Sequence, residues 1–310
     1  MVTGGAGFIG GHITELLVSK GHDVIVFDDF STGSIDNLRA VQDNVEIVEA
    51  DIRDIEALNR AMEGVEYVIH QAADISPVRS VEDPAFTNAV NVDGTLNVLI
   101  TCKDHGVKRV VMASSCAIYG DTGQRAQKED FVPQPLSPYG ASKMAGEHYF
   151  SVFYQIYGLE TVRLRYFNVF GPRQNPKSQY AAVIPKFIDR ILAGKEITIN
   201  GDGEQTRDFI YVSNVALANY LACTVPNVAG KVFNIASEKT VTINQLAEKL
   251  PALAGRNVKI VHGPPVVGDI KYSSSDITLA RTLLGFEPKV SFEEGLRLTF
   301  EYFAAKAGAV

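Results

Sequence analysis

The sequence predicts an α/β protein, a doubly wound parallel sheet joined to a smaller, interleaved C-terminal α/β lobe. Three observations predict it. Apolar, β-branched runs alternate with segments of helical period through the first half. A glycine-rich turn follows the first of these runs. After about residue 167 the rhythm changes and proline punctuates it.

The first strand is short, 1–3, and a few further residues upstream of Met1 are expected to complete it. The glycine turn leads into a helix over 8–20. The runs VIVF at 24–27, VEIV at 45–48, VEYVI at 65–69, RVVMA at 109–113 and TVRLRY at 161–166 read as buried strands. Helices near 55–63, 84–104 and 139–157 connect them, and strands joined by helices form a parallel sheet covered on both faces. Beyond 167, Pro172, Pro176 and Pro185 interrupt the pattern and Gly-Asp-Gly at 201–203 is a turn. Short strands are expected near 197–199, 209–212 and 258–261, and KVFNI at 231–235 reads as a core strand returning to the main sheet. Helices are expected near 213–224, 243–250, 276–284 and 293–304. The division is therefore 1–166, with the returning strand, and 167–310. There is no internal repeat and no low-complexity segment.

At 310 residues, 46% of them hydrophobic, the chain can bury a substantial core in two joined lobes. No apolar run approaches the ~18 residues that span a bilayer. Met-Val-Thr leads directly into the glycines with no signal-peptide pattern, so a cytoplasmic location is expected. A formal net charge of −7 argues against a nucleic-acid surface, and an anionic ligand must be held by local groups. Cys102, Cys116 and Cys223 lack CxxC or Cys/His spacing. They read as reduced thiols, two of them on apolar stretches, and no metal site is expected.

Residues 3–10 read Thr-Gly-Gly-Ala-Gly-Phe-Ile-Gly. Gly4, Gly7 and Gly10 share one three-residue spacing, and Gly5, Gly7 and Gly10 form Gly-x-Gly-x-x-Gly. Glycines here let the backbone approach a pyrophosphate seated on the helix N-terminus. A glycine triplet alone could serve any tight turn. This one follows a strand, opens a helix, and is followed about 20 positions on by Asp28, placed to accept hydrogen bonds from ribose hydroxyls. That is the Rossmann dinucleotide pattern. Asp28 and Asp29 would repel a 2′-phosphate, and no Arg or Lys follows until Arg39, so NAD is expected over NADP. Asp51 suits the adenine amino group, and equally the N-cap of the helix starting near Asp54.

Tyr139 and Lys143 stand four apart at the start of a helical stretch and share one face. Such strings are common on solvated helices. Here Pro138 suits the first helical position. Ser114 and Ser115 end a strand at the carboxyl edge, where ligands of such sheets bind. A free tyrosine titrates near pH 10 and is a poor base at neutrality. The Lys143 ammonium is expected to favour the phenolate and lower that value. Ser115 can hydrogen-bond the reacting hydroxyl or pass its proton to Tyr139. These parts suffice to take a proton from an alcohol while hydride leaves for NAD.

With these residues in view, the chain resembles the extended short-chain dehydrogenase/reductases and, within them, the UDP-hexose 4-epimerases. The resemblance runs through TGGAGFIGGH at 3–12, VIHQAA at 68–73, NVDGT at 91–95, SSCAIYG at 114–120 and YGASK at 139–143. It continues through YFNVFGPRQ at 166–174, AAVIPKF at 181–187, NGDGEQTRDFIYV at 200–212 and Gly-Asp at 268–269. The second half is most similar to the branch acting on UDP-N-acetylglucosamine.

The resemblance implies further roles. Phe8 and Ile9 would meet the pyrophosphate by backbone. Ser31, Thr32, Gly33, Ile52, Ala72, Ala73, Asn91, Tyr139, Lys143 and Phe167 would line the NAD site. Ser76, Asn168, Ala182, Val183, Lys186, Arg207, Asp269 and Ser273 would hold the UDP-sugar beside Ser115 and Tyr139. Arg207 has a physical case as well, because a planar cation can fork onto diphosphate oxygens. A surface salt bridge with Asp208 or Glu204 is the competing account. One departure stands out: many relatives carry an Arg three residues before the Gly-Asp aspartate, where this chain has Val266. Either Lys186 or Arg173 takes over, or UDP binds less tightly.

Four functions compete. A 4-epimerase would oxidise the sugar at C4 and reduce the ketone from its other face. A nucleotide-sugar 4,6-dehydratase or decarboxylase is the second. Dehydratases resembling this chain add an Asp-Glu pair after the catalytic hydroxyl residue, where Cys116 and Ala117 stand. A 3,5-epimerase/reductase would pair a Cys with a His, but Ser178, Gln179 and Tyr180 offer none. A non-catalytic NAD sensor would not need Ser115, Tyr139 and Lys143 together. A homodimer is expected, as relatives pair two helices across a two-fold axis. The helix near 84–104 carries Phe86, Val90, Leu96, Val98, Leu99 and Ile100. That near 139–157 carries Met144, Tyr149, Phe150, Phe153 and Tyr157. Core packing is the competing account of both. Finally, the position four after Asp269, a sugar-pocket wall in the resembling family, is the small Ser273, which leaves room for a 2-acetamido group; a polar loop residue is the plainer reading.

Overall fold

The computed structural model describes residues 1–176, 182–265 and 270–308. In the first half β1 (Val2–Thr3) leads to α1 (Phe8–Ser19), β2 (Val24–Asp28), β3 (Val45–Glu49), α2 (Ile55–Ala61) and β4 (Tyr67–His70). There follow α3 (Pro77–Glu82), α4 (Pro84–Asn88), a π-helical stretch (Ala89–Gly94), α5 (Thr95–Asp104), β5 (Arg109–Ser115), α6 (Pro138–Tyr157) and β6 (Glu160–Tyr166). The second half holds β7 (Asn168–Phe170), α7 (Val183–Leu192), β8 (Ile197–Asn200), β9 (Thr206–Tyr211), α8 (Val212–Thr224) and β10 (Val232–Ile235). It closes with β11 (Thr240–Thr242), α9 (Ile243–Leu253), β12 (Ile260–Gly263) and α10 (Phe292–Lys306).

Seven strands form one parallel sheet in the order β10-β6-β5-β4-β1-β2-β3. Short as it is, β1 lies inside the sheet between β2 and β4, with Val2 opposite Val26 on one side and Ile69 on the other. Alternation along the strands divides the core. Val26, Ile69 and Val111 join Ile13 of α1 and Val215 of α8 in one layer. Phe27, Val68 and Val110 join Leu58 of α2, Leu99 of α5 and Phe150 of α6 in the other. Strands covered on both faces by helices read as the continuous apolar runs seen in the sequence.

A third core lies in the second half, beneath the small sheets β11-β9-β7 and β12-β8. Ile184, Phe187, Ile188 and Ile191 supply the apolar stripe of α7, at helical spacing. Sequence reading missed this helix because Pro185 looked like a breaker. Pro185 falls in the first turn, where its missing N–H has no intrahelical partner to lose.

Other differences are local. The helix expected over 84–104 is divided by its π-helical stretch, and that expected over 276–284 is a π-helical Ala280–Leu284. Among the strands, β4 starts two residues late, β9 three residues early, and β12 spans Ile260–Gly263. The short α3, β7 and β11 carried too few residues to show a period. Among the described residues no helix is long and apolar enough to cross a membrane, and no three His, Cys, Asp or Glu cluster as metal ligands.

Candidate active site

Three groups of side chains meet at the carboxyl edge of the parallel sheet. The first is a backbone cradle. Gly4 has φ of +66°, and a Cβ there would lie 2.7 Å from the Ala72 nitrogen. A Cβ on Gly10 would lie 2.0 Å from the Gly4 carbonyl oxygen, so no side chain fits. α1 starts after Gly7 with no side-chain cap, which leaves the first-turn amides of Phe8, Ile9 and Gly10 at the positive end of the helix dipole. Asp28, 6% exposed, ends β2. It accepts from Ala6 N at 2.8 Å and Phe30 N at 2.9 Å, one bond per oxygen, and a carboxylate has capacity for more. Burial raises its pKa and these bonds oppose the rise. Gly33 closes over it, because a Cβ there would lie 2.8 Å from Asp28 Oδ1.

Around the cradle, Asp29 accepts from the Ser31 amide and hydroxyl at 3.0 and 2.7 Å, and Ser31 and Thr32 are exposed. Asp51 is not a helix cap: Asp54 caps α2 at Glu56 N and Ala57 N. The Asp51 carboxylate is held by the Arg53 guanidinium, which lowers its pKa. Ile52 is buried against Gly94 in the π-helical stretch. Ala72 and Ala73 follow β4, half-buried. Asn91 spends its amide on the loop beyond them, accepting from Asp74 N at 2.8 Å and donating to Asp74 O and Ser142 Oγ, both at 2.9 Å. Phe167 is buried in the core. A glycine-walled backbone cradle with a buried carboxylate fits a dinucleotide's pyrophosphate and ribose.

The second group is the candidate catalytic trio of Ser115, Tyr139 and Lys143. Ser115 ends β5, and its Oγ accepts from Ala117 N at 3.1 Å. α6 begins beside it: Ser137 caps Gly140 N at 3.1 Å, Pro138 takes the first position, and a Cβ on Gly140 would lie 2.8 Å from the Ala117 carbonyl. That close approach brings the Tyr139 hydroxyl into hydrogen bonding with Ser115. Lys143 is buried, its Nζ donating to Ala113 O at 2.9 Å and lying 5.9 Å from the centre of the Tyr139 ring. Burial lowers its pKa to about 8, against the pull of Asp74.

One expectation is overturned. The Tyr139 phenol is not lowered but raised, to about 12. Burial is the largest cause, the Ser115 hydrogen bond opposes it, and the charges of Cys116 and Asp74 add to the rise. The Lys143 ammonium is turned to the Ala113 carbonyl and does not offset this.

Sequence reading also missed what supports the trio. His70, at the end of β4, is buried between Thr3 Oγ1 at 2.7 Å and Thr95 Oγ1 at 3.0 Å. Burial first and the Lys143 charge second lower its pKa to about 3, so it stays neutral. Glu147, two turns after Tyr139 on α6, is paired with Arg165 of β6 through contacts of 2.9 and 2.7 Å and accepts from Ser114 Oγ at 2.5 Å. Arg165 also donates to Tyr119 OH at 2.9 Å, and Tyr119 to Asn234 of β10 at 2.6 Å. Charged residues inside apolar strand and helix patterns were the available signal.

The third group lines a cavity of about 350 Å³ between β7, α7 and β9, including Asn168, Ala182, Val183, Lys186, Asn200 and Arg207. Asn168 Nδ2 donates to Asp208 O at 2.9 Å. Arg207 donates to Thr206 O at 2.8 Å, and its charge is felt at Cys116, next to Ser115. The carboxylates suggested as its surface partners are engaged elsewhere, Asp208 with Ser237, Glu238 N and Ser275, and Glu204 with Asn244. Ser273 is buried, two residues before the Ser275 that donates to Asp208. Ser76 caps α3 through Arg79 N at 3.1 Å. Arg173, one of the two cations suggested for the place of Val266, is instead forked onto Glu15 of α1. Asp269, Val266 and the segment 178–180 lie outside the described residues.

Residues 1–236 match the model of the NAD dependent epimerase/dehydratase family. A putative UDP-glucose 4-epimerase of Methanocaldococcus jannaschii is 39% identical over 96% of this chain and 95% of its own. The crystal structure of a Thermotoga maritima UDP-glucose 4-epimerase with UDP-glucose is 42% identical, with a TM-score of 0.94 and 98% of each chain covered. The UDP-N-acetylglucosamine 4-epimerase of Methanobrevibacter ruminantium, in complex with UDP-N-acetylmuramic acid, is 41% identical with a TM-score of 0.94, covering 98% of this chain and 97% of its own.

Proposed function

Since the chain belongs to the NAD-dependent epimerase/dehydratase family, as a UDP-sugar 4-epimerase or a member of a related branch, we propose that it epimerises a UDP-hexose at C4. The pair favoured is UDP-N-acetylglucosamine and UDP-N-acetylgalactosamine, with UDP-glucose and UDP-galactose accepted as well. The hydrogen-bonded Ser115 and Tyr139, between the glycine cradle and the Arg207 cavity, carry this reading.

NAD held by the glycine cradle and Asp28 would supply a reversible hydride acceptor for C4. The rest falls to this chain's residues. Tyr139 takes the 4-hydroxyl proton, with Ser115 hydrogen-bonded to the same oxygen. At neutral pH a phenol raised to about 12 is protonated, so it acts as base only once positive charge faces it. Lys143 is the nearby source: at about 8 it is still mostly protonated, and Asp74 supports that charge. His70, neutral, adds no competing charge. Arg207 and Lys186 hold the diphosphate, and Asn168, Ala182 and Val183 line its seat. In place of a dehydratase's acid and base stand Ala117 and Cys116, whose thiol burial raises to about 12. Neither can move a proton at neutrality, which favours epimerisation over lyase chemistry.

The N-acetyl preference rests on Ser273. Ser273→Tyr is expected to lower activity on UDP-N-acetylglucosamine roughly 10- to 100-fold while sparing UDP-galactose, since overpacking costs about 1–3 kcal/mol. A coupled assay of the four UDP-sugars reads this directly. A wild type inert on N-acetylated sugars would remove the substrate preference and leave the 4-epimerase.

The homodimer is likewise a proposal, resting on α6 alone. In the 84–104 segment Val98 and Leu99 are fully buried, and Phe86 lies beneath the guanidiniums of Arg53 and Arg79. Along α6, Phe150 and Phe153 are core, whereas Tyr149, Val152 and Ile156 leave one exposed apolar stripe. Light scattering at micromolar concentration is expected to give twice the chain mass, and a monomer would count against it.

A further inference from the structure

We propose that Arg173 is a positioning residue that clasps the loop after β7 to the cofactor cradle, so that binding at either ligand site is felt at the other. The proposal rests on the NAD and UDP-sugar reading above. Arg173 has φ of +71°, a conformation that side chains other than glycine adopt only where their surroundings hold them. What holds it is a fork onto one carboxylate: Nη1 lies 2.6 Å from Glu15 Oε1, and Nη2 2.7 Å from Glu15 Oε2. Nη1 also donates to the Asn37 carbonyl at 2.6 Å. The preceding carbonyl, that of Pro172, meets His12 Nε2 at 3.1 Å.

Each of these partners belongs to the cradle. Glu15 and His12 ride on α1, whose first turn is the pyrophosphate seat. Asn37 donates to the Ala6 carbonyl at 2.8 Å, and Ala6 N donates to Asp28 Oδ2 at 2.8 Å. A continuous hydrogen-bonded path therefore runs from Arg173 to the ribose carboxylate. In the other direction, Arg173 stands three residues beyond β7, whose Asn168 and Val169 line the substrate cavity. Its neighbour Gln174 donates to the Val169 carbonyl at 3.3 Å. A filled cavity would hold this loop in place, and with it the mostly buried guanidinium on its carboxylate, because a buried charge resists losing its partner. An ordered substrate loop and an ordered cradle thus favour each other, a reciprocal coupling of the two sites.

The test measures the rate at which bound NAD leaves the holoenzyme, with and without saturating UDP. Wild type is expected to release NAD at least ~10-fold more slowly with UDP present, within the usual range of such coupling. Arg173→Lys keeps the charge but cannot fork, and Glu15→Gln keeps the shape but loses the charge. Each is expected to bring the UDP effect to near unity, and the double variant to go no further. A merely structural pair would lower Tm in both variants and leave the UDP effect intact, which would overturn the clasp. So would a wild type whose NAD release ignores UDP that calorimetry shows to be bound. Failure of UDP to bind wild type at all would instead strike at the substrate reading.

Discussion

Tyr139→Phe is expected to keep the fold and the bound NAD and to lower turnover by at least ~100-fold, the usual scale for loss of a positioned acid/base. The variant keeps the ring that faces Lys143 and loses the oxygen that is hydrogen-bonded to Ser115. Turnover per bound NAD, measured with UDP-glucose and UDP-N-acetylglucosamine, separates chemistry from cofactor loss. A near-normal rate would remove Tyr139 from the mechanism. An equal loss with an empty cofactor site would make it a binding residue instead.

Arg165→Met is expected to cost about 3–5 kcal/mol, because it leaves Glu147 as a buried carboxylate without its cation. Both side chains are almost wholly enclosed, and Ser114, Tyr119 and Asn234 complete a network around them. In a chain of this size that loss lowers Tm by roughly 5–8 °C. Removing the stranded charge as well, in Arg165→Met with Glu147→Gln, is expected to recover part of it, since paired residues do not add. Thermal unfolding of Arg165→Met, of Glu147→Gln and of the double variant decides. A double variant as poor as the sum of the singles would show that the pair is not the unit of stability.

The parallel sheet was legible because β2, β4 and β5 are largely buried and carry apolar, β-branched runs, whereas the edge strand β3 is mostly exposed. The cradle was legible because backbone crowding at Gly10 admits no side chain, so glycine is forced at that position. The second half was less so: α7 hid behind Pro185, and β7 and β11 are three residues each. Within the site, Ser115, Tyr139 and Lys143 stand in motifs and His70 lies inside VIHQAA, whereas Glu147 and Arg165 lie in no motif. Their charge inside apolar patterns was the only signal, and only the fold brings Glu147 against Arg165 from another element. Electrostatics was the least legible. A lysine one turn from a tyrosine suggests a lowered phenol, but burial of both reverses the sign. Arg173, suggested as a spare cation for the diphosphate, is committed to α1.

The central claim is that hydride leaves C4 and returns to C4 within one closed site. Holoenzyme incubated with UDP-sugar carrying deuterium at C4 tests it most directly, with the product read by mass spectrometry and NMR. The account predicts an inverted C4 that keeps its full deuterium content, with none passed to added NAD or to water. Deuterium lost to solvent, or a product with a ketone at C4 and the deuterium moved to a C6 that has lost its oxygen, would contradict it.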